Sequence, residues 1–376
     1  MKSYEIVVLP GDGVGPEVTG EALRVLARVE SFGLFQLNTT IIPCAGSYYV
    51  AHGQEWPDGS FDRCKSADAI LLGAIGHTLP NGQPVRRADG ELAGYEQVIG
   101  LRTKLDLYAN VRPVKLFPGV THNISGRFRP VWTPETVDSV FFRENTEGAY
   151  APGEFRLERG GEVELVVSPT IVTRRGAERI VRRAFELAMR RNGAPSDGKR
   201  RVTCVDKSNV IRAHRFFRDV FREVSRDFPE IECDYGYVDA FTVALVSRPE
   251  RFDVVVAPNL PGDIVTDLAA FLQGGMGMAA SGNIGDHHAM FEPIHGSAPD
   301  IAGKNAANPA ASIMSAAMML RWLGERHGDE GATAAADRID LAVQSAIGSG
   351  AALTRDLGGQ ATTIDAADAI LARLTM

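Results

Sequence analysis

Cysteine is scarce in this chain and scattered where it occurs. The four residues Cys44, Cys64, Cys204 and Cys233 form no C-x-x-C pair. That spacing argues against a disulfide scaffold or a cysteine-held zinc site, and it fits a reducing compartment, the cytoplasm. Positive charge is not in excess either. Forty Lys+Arg against 47 Asp+Glu give a net charge of −7, so there is no electrostatic footprint of a nucleic-acid binder and no polybasic patch for a membrane surface. Long apolar runs are also missing. The most apolar stretch, Ala310 to Leu323, is broken by Ser315 and Arg321, is too short to span a bilayer, and reads as a buried helix. The opening MKSYEIVVLPGDG has a short apolar run ended by Pro and Gly, which is expected to be a strand and not a signal peptide.

What remains is ordinary globular material. At 376 residues, 44% of them hydrophobic, the chain has enough for about two domains with sizeable cores. Ile6–Leu9, Ala69–Gly73, Val202–Val205 and Val254–Ala257 read as buried strands. Between them, Val18, Ala22, Val25 and Val29 share one helical face. Ala177, Ile180, Val181, Ala184 and Ala188 share another, and Phe217, Val220, Phe221 and Val224 a third. Short apolar strands alternating with amphipathic helices predict an α/β architecture with largely parallel sheet. Two segments depart from this. His77 to Gln97, rich in Gly, Pro and polar residues, reads as a long loop. Phe155 to Val167 alternates polar and apolar residues around Gly160-Gly161 and reads as a hairpin.

Several residues invite chemistry. Gly11, Gly13 and Gly15 follow a strand and precede a helix, but Pro16 breaks the G-x-G-x-x-G spacing, so a tight turn explains them as well as a dinucleotide fingerprint does. Arg102 and Arg112 in LRTKLDLYANVRP, with Arg143 in FFRENTEGAY, suit two-point contacts to a substrate with two or three carboxylates; surface ion pairs are the plainer alternative. Asp263 and Asp267, four apart at the start of a helix, share a face, and Asp239 precedes another apolar run. Such hard oxygen ligands suit Mg²⁺ or Mn²⁺; by spacing alone helix capping is the better account of Asp263, while Asp267, deeper in the first turns, is harder to explain that way. Lys207 directly follows a strand and is a candidate base, with Tyr150 a candidate acid. The FEPIHGSAPDIAGKNAANP loop around His295 precedes an apolar helix, as a nucleotide cradle or a mere connection would.

Taken in order, LPGDGVGPEV, LRTKLDLYANVRP, RENTEGAY, VDKSNV, YVDA, NLPGDIVTD and FEPIHGSAPDIAGKNAANP resemble the metal-dependent β-decarboxylating dehydrogenases. That family includes 3-isopropylmalate, isocitrate, homoisocitrate, tartrate and D-malate dehydrogenases. The resemblance runs from Leu9 to about Met319 and implies a two-domain isopropylmalate-dehydrogenase-like α/β fold around a central cleft. Residues 1–107 with 274–376 would form the first, cofactor-binding domain. Residues 108–273 would form the second, with a clasp hairpin at about 151–170 that joins two subunits. The same resemblance assigns Arg102, Arg112 and Arg143 to substrate carboxylates and makes Tyr150, Lys207 and Asp239 catalytic. It assigns Asp239, Asp263 and Asp267 to the metal. Lys207 and Asp239 would reach the site from the partner of a homodimer. His295, Gly296, Ser297, Ala298, Asp300 and Asn308 would hold NAD, with Asp300 on the ribose hydroxyls repelling a 2′-phosphate, and Asn308 on the adenine.

The reaction so implied is NAD-dependent oxidation of the 2-hydroxyl of a 3-substituted malate, loss of CO₂, and protonation of the resulting enolate, with the metal as Lewis acid. In the family, specificity is set just before Arg102. Val98 and Ile99 there resemble an apolar wall for an alkyl substituent, and Glu96 would repel an extra carboxylate, which points to 3-isopropylmalate. RENTEGAY looks more like the isocitrate, homoisocitrate and tartrate branches, and the His77–Glu96 stretch matches none of them closely. Those acids, D-malate and an atypical 3-substituted malate stay open, as does a non-catalytic subunit of a hetero-oligomer, although all eight functional positions from Arg102 to Asp267 are kept. Arg86 and Arg87 are expected to be solvated.

Overall fold

The computed structural model describes every residue except Pro80, Pro152 and Glu154. Two compact units are present. One comprises Met1–Leu107, Lys115–Pro134 and Ala270–Met376; the other comprises Tyr108–Val114 and Glu135–Ala269.

In the first unit the strands lie in the order Ala280–Ile284, Ala289–Pro293, Ala69–Ala74, Lys2–Gly11, Phe35–Ile41. All neighbours pair in parallel except Ala280–Ile284 with Ala289–Pro293. Parallel strands need crossovers, and the helix Gly15–Glu30 supplies the first. It packs Val18, Ala22, Val25 and Val29 at full burial, as the spacing predicts. The apolar stretch after Ala310 is the buried helix Ala310–His327, and the Ala-rich stretch near Ala334 is a second helix, Glu330–Gly348, packed on it. The stretch 115–134, which the sequence placed in the second domain, belongs to this unit. Thr121 Oγ1 donates to the Leu357 carbonyl, the His122 ring meets the Leu272 carbonyl, and Gln273 Oε1 accepts from the Lys115 N–H.

In the second unit the order is Glu232–Tyr237, Arg201–Asp206, Val254–Ala257, Asp138–Glu144, Ala109–Lys115, and the first four run parallel. The helices Arg174–Arg190 and Arg212–Val224 bury Phe185, Phe217 and Phe221 against it, each contributing about 1.5–3 kcal/mol of transfer free energy. The predicted hairpin is present as Phe155–Arg159 paired with Glu162–Val167, turning at two positive-φ glycines, Gly160 and Gly161. Every described residue of its strands is exposed, apolar ones included.

The long loop 77–97 is more organised than its composition suggests. It folds back on itself through bridges Thr78–Pro84 and Arg86–Leu92, then enters a π-helical turn, Glu96–Gly100, that leads into the short helix Leu101–Lys104. No helix among the described residues is long and apolar enough to cross a membrane.

Candidate active site

Parallel strands in an α/β sheet leave their carboxyl ends open for ligands, and the second unit places its reactive residues there. Lys207 follows Arg201–Asp206. Asp239 stands in the first turn of the helix Val238–Ser247, which follows Glu232–Tyr237. The helix Asn259–Leu272 follows Val254–Ala257, and Arg143 sits near the end of Asp138–Glu144.

Arg112 and Arg143 are brought together on the helix Asn259–Leu272. Arg112 donates to Asn110 Oδ1 at 2.7 Å, Thr266 Oγ1 at 2.6 Å and Asp267 Oδ1 at 2.9 Å, and lies 3.4 Å from Asp263 Oδ1. Arg143 donates to Asn259 Oδ1 through both Nε and Nη2, at 3.0 and 2.7 Å, and pairs with Asp263. The helix approaches this closely because residue 262 is glycine; a Cβ there would fall 2.8 Å from the Arg143 side chain. Tyr150 donates its hydroxyl to Asp263 Oδ2 at 2.7 Å and lies under the Arg143 guanidinium. Asp263 is therefore not a cap. The helix opens at Asn259, and Asp263 one turn further in serves two arginines and a tyrosine.

Lys207 Nζ donates to Asp239 Oδ1 at 2.7 Å, and this hydrogen bond holds the Asp239 carboxyl below the usual carboxylate range. The lysine's backbone is fixed on both sides. Its N–H donates to His214 Nδ1 at 3.2 Å, and the preceding Asp206 is fully buried, accepting from Arg218 at 2.7 and 2.9 Å and from the Ser208 N–H. Burial pushes His214 below its ordinary value, so its ring is neutral at neutral pH and Nδ1 is free to accept. Among the described residues no three His, Cys, Asp or Glu side chains are grouped so that they could hold a metal ion, so Asp239 does not complete a ligand set with Asp263 and Asp267 within one chain.

Arg102, in the first unit, is buried and paired with Glu292 at 2.8 Å, which also accepts from Asn283 at 2.7 Å. Its Nε has no partner among the described residues and stays available as a donor. Val98 packs partly against the core around Leu101 and Leu105, and Ile99 is half-buried in the π-helical turn. One expectation here is corrected. Arg87 is not solvated: it pairs with Asp89 at 2.7 Å, reaches Glu55 and Glu96, and lies over the Tyr95 ring. Glu96 pairs with Lys104 and lies 3.7 Å from Arg87, which it shares with Glu55 and Asp89, so three carboxylates face two cations.

The loop after Pro293 borders a cavity of about 410 Å³ in the first unit, lined by Val14, His295, Ala298, Ile301 and Asn308 among others. Gly296, Ser297 and Asp300 lie outside that lining. Ser297 is structural: its carbonyl accepts from the Val14 N–H at 2.8 Å, and a Cβ on Gly13 would come within 2.0 Å of it. The opening glycines are thus a close-packed turn. Ala298 holds a left-handed φ of 40°, costly for a residue with a Cβ. His295 Nε2 is buried without a partner among the described residues, and Asn308 donates to Asp356 at 3.1 Å while capping the Ala310 N–H. Asp300 is exposed, its backbone carbonyl held by Lys304. Arg355 and Asp356, which also line the cavity, carry no motif and escape a sequence reading. Asn259 and Thr266 lie within NLPGDIVTD and Glu292 within FEPIHGSAPDIAGKNAANP, but nothing in the sequence marks a role for any of them.

Comparison with known proteins places these features. A sequence profile described as isocitrate/isopropylmalate dehydrogenase matches residues 5–370. The 3-isopropylmalate dehydrogenase of Thermobifida fusca (strain YX) is 42% identical over 328 residues, 86% of this chain and 87% of that protein. The 3-isopropylmalate/3-methylmalate dehydrogenase of Methanocaldococcus jannaschii is 37% identical over 99% of both chains. The crystal structure of isocitrate dehydrogenase from Methylococcus capsulatus superimposes with a TM-score of 0.81 at 38% identity, covering 99% of this chain and 100% of that one. With a profile match across nearly its whole length and relatives near 40% identity, the chain belongs to the isocitrate/isopropylmalate dehydrogenase family and is a β-decarboxylating dehydrogenase.

Proposed function

We propose that the enzyme oxidises and decarboxylates 3-isopropylmalate in the cytoplasm, as a step of leucine biosynthesis, using NAD and Mg²⁺ or Mn²⁺, and that it works as a homodimer. The observation that carries the reading is the constellation Arg112–Asp267 and Arg143–Asp263–Tyr150. Two arginines and two aspartates there balance in charge, with each guanidinium engaged by a carboxylate. Adding a divalent cation gives the aspartates a new partner, and adding a dicarboxylate gives the arginines one; the sum again balances. The donor set, two carboxylates on adjacent turns of one helix, fits a hard oxygen-preferring cation.

Arg102, Arg112 and Arg143 hold the carboxylates of the malate. Lys207, contributed with Asp239 by the second subunit, accepts the proton of the 2-hydroxyl. NAD, when bound, would supply the hydride acceptor for C2, and a cation held by Asp239, Asp263 and Asp267 would supply Lewis-acid stabilisation of the enolate. Tyr150 gives its proton to C3 after CO₂ leaves. One proton is taken at Lys207 and one is given at Tyr150, so the cycle closes without net release once Tyr150 recovers a proton from Lys207. The cavity beside His295, Ala298 and Asn308 receives the adenosine half of NAD, whose uncharged 2′-hydroxyl suits the acidic Asp300. The first unit, Met1–Leu107 with Lys115–Pro134 and Ala270–Met376, is the cofactor domain, and the second unit carries the metal residues and the dimer clasp. The exposed hairpin supports the dimer, since its apolar side chains are unburied in one chain.

One observation favours a second reading, a substrate carrying a γ-carboxylate. Glu96 pairs with Lys104 and is approached by Arg87, which weakens the repulsion that counted against such an acid. The test is NADH formation with Mn²⁺ and NAD⁺ across 3-isopropylmalate, isocitrate, homoisocitrate, D-malate and tartrate. A large preference for 3-isopropylmalate is expected. A preference for a γ-carboxylate acid would overturn the substrate while leaving the chemistry in place.

A further inference from the structure

Glu55 lies after the helix Ala45–His52, remote in sequence from every motif, yet its side chain is almost entirely buried. Its carboxylate accepts from three consecutive backbone N–H groups: Gly94 at 2.6 Å, Tyr95 at 3.1 Å and Glu96 at 3.1 Å. These donors stand at the start of a helical segment, the Tyr95 N–H being shared with the Leu92 carbonyl at 3.1 Å, and a carboxylate is their strongest acceptor. Arg87 closes the arrangement from the solvent side, reaching Glu55 at 3.5 Å, Asp89 at 2.7 Å and Glu96 at 3.7 Å.

The segment so capped is the π-helical turn Glu96–Gly100. The Leu101 N–H returns to the Glu96 carbonyl, five residues back, in place of the usual four. A π turn holds one residue more than an α turn. Relaxing it would rotate everything upstream by about 100° about the axis. The turn as built is not self-stabilising, since Gln97 is fully buried and neither of its amide atoms has a partner among the described residues. Something outside the turn must hold this register, and Glu55 is the group in contact with its start.

We propose that Glu55, with Arg87 as its counter-ion, is a positioning residue for substrate selectivity. By capping Gly94, Tyr95 and Glu96 it fixes the π register, and so determines that Val98 and Ile99 are the side chains presented ahead of Arg102. Discrimination between C3 substituents then depends on a residue that touches no substrate. This rests on the reading above that Val98 and Ile99 meet the substituent.

The test measures kcat and KM for 3-isopropylmalate and for D-malate, which lacks the alkyl group, in wild type, Glu55→Gln, Arg87→Ala and Glu55→Gln/Gln97→Leu, with Tm alongside. In Glu55→Gln the KM for 3-isopropylmalate should rise about tenfold, the size of effect expected when an apolar pocket loses its fit. Its kcat should stay within about twofold, and the kcat/KM ratio of the two substrates should move toward one. Adding Gln97→Leu, which removes the orphaned amide, should recover part of the ratio. If Glu55→Gln does not fold, Arg87→Ala carries the same expectation at smaller size. An unchanged ratio in a variant whose Tm matches wild type overturns the proposal. If wild type prefers another acid, the substrate reading fails separately, and the proposal is judged on whether the ratio for that acid still moves toward one.

Discussion

Lys207 Nζ and Asp239 Oδ1 are 2.7 Å apart, on residues that follow the carboxyl ends of two neighbouring parallel strands. The pairing keeps Asp239 ionised well into mildly acid solution, so its carboxylate is ready to act as a ligand. Lys207→Ala should lower kcat by about 10²–10⁴, the usual worth of a general base. Lys207→Arg should not restore it, because a guanidinium does not give up its proton. Steady-state rates at saturating Mn²⁺ decide; a Lys207→Ala enzyme within tenfold of wild type would remove Lys207 from the mechanism.

Tyr150→Phe deletes one hydroxyl, now bonded to Asp263. Hydride transfer does not need that proton, but protonation of C3 does. A single-turnover burst of NADH should survive while steady-state turnover falls by about 10²-fold. Loss of the burst itself would assign Tyr150 to an earlier step.

Asp263→Asn leaves both arginines in place and removes one negative charge between them. Calorimetric titration should show Mn²⁺ binding weakened at least tenfold, on the order of 1.4 kcal/mol or more. High Mn²⁺ should recover part of the activity. Unaltered Mn²⁺ affinity would exclude Asp263 as a ligand.

His214 gives a pH dependence with a definite sign. Burial lowers its folded value below the ordinary value of about 6.5, with Asp206 opposing more weakly. As pH falls through about 6.5, the unfolded chain gains a proton that the folded imidazole refuses, so stability falls toward acid and is unaffected above. Between pH 7.5 and 5.5 wild type should lose more stability in urea than His214→Gln. Equal losses would show that this histidine contributes nothing to the slope.

The hairpin predicts assembly. Replacing Phe155 and Leu165, both exposed in one chain, with glutamate should shift sedimentation toward monomer. Activity should fall in parallel, because Lys207 and Asp239 would no longer reach the opposite site. A fully active monomer would refute the shared-site arrangement.

Central strands and the helices behind them were legible because their apolar runs are uninterrupted: Ala69–Ala74, Val254–Ala257 and the faces around Ala184 and Phe221 are buried as the spacing requires. Edge and small-residue strands were not. Glu232–Tyr237 and Phe35–Ile41 are half-exposed and carry no apolar run, while Ala280–Ile284 is built from Ala, Ser, Gly and Asn. In the site, the charged residues could be read by type and motif, but their pairing could not. Nothing local announces that Arg102 would lean on the distant Glu292 or that the turn before Arg102 would be π-helical; Glu96 meets Arg87 and Lys104 within one stretch of chain, but only once that stretch has folded back on itself.

The strand Ala69–Ala74 is flanked in its sheet by Ala289–Pro293, and the turn at Gly13 takes one of its hydrogen bonds, from the Val14 N–H, to the Ser297 carbonyl. During translation, the first unit therefore waits with that edge of the Ala69–Ala74 backbone unpaired while the whole second unit is made. At roughly 5–20 residues per second that wait is on the order of tens of seconds. The second unit has all its strands once Ala269 has emerged, so the inserted part of the gene product is free to fold first. The segment synthesised earliest is thus among the last to be secured.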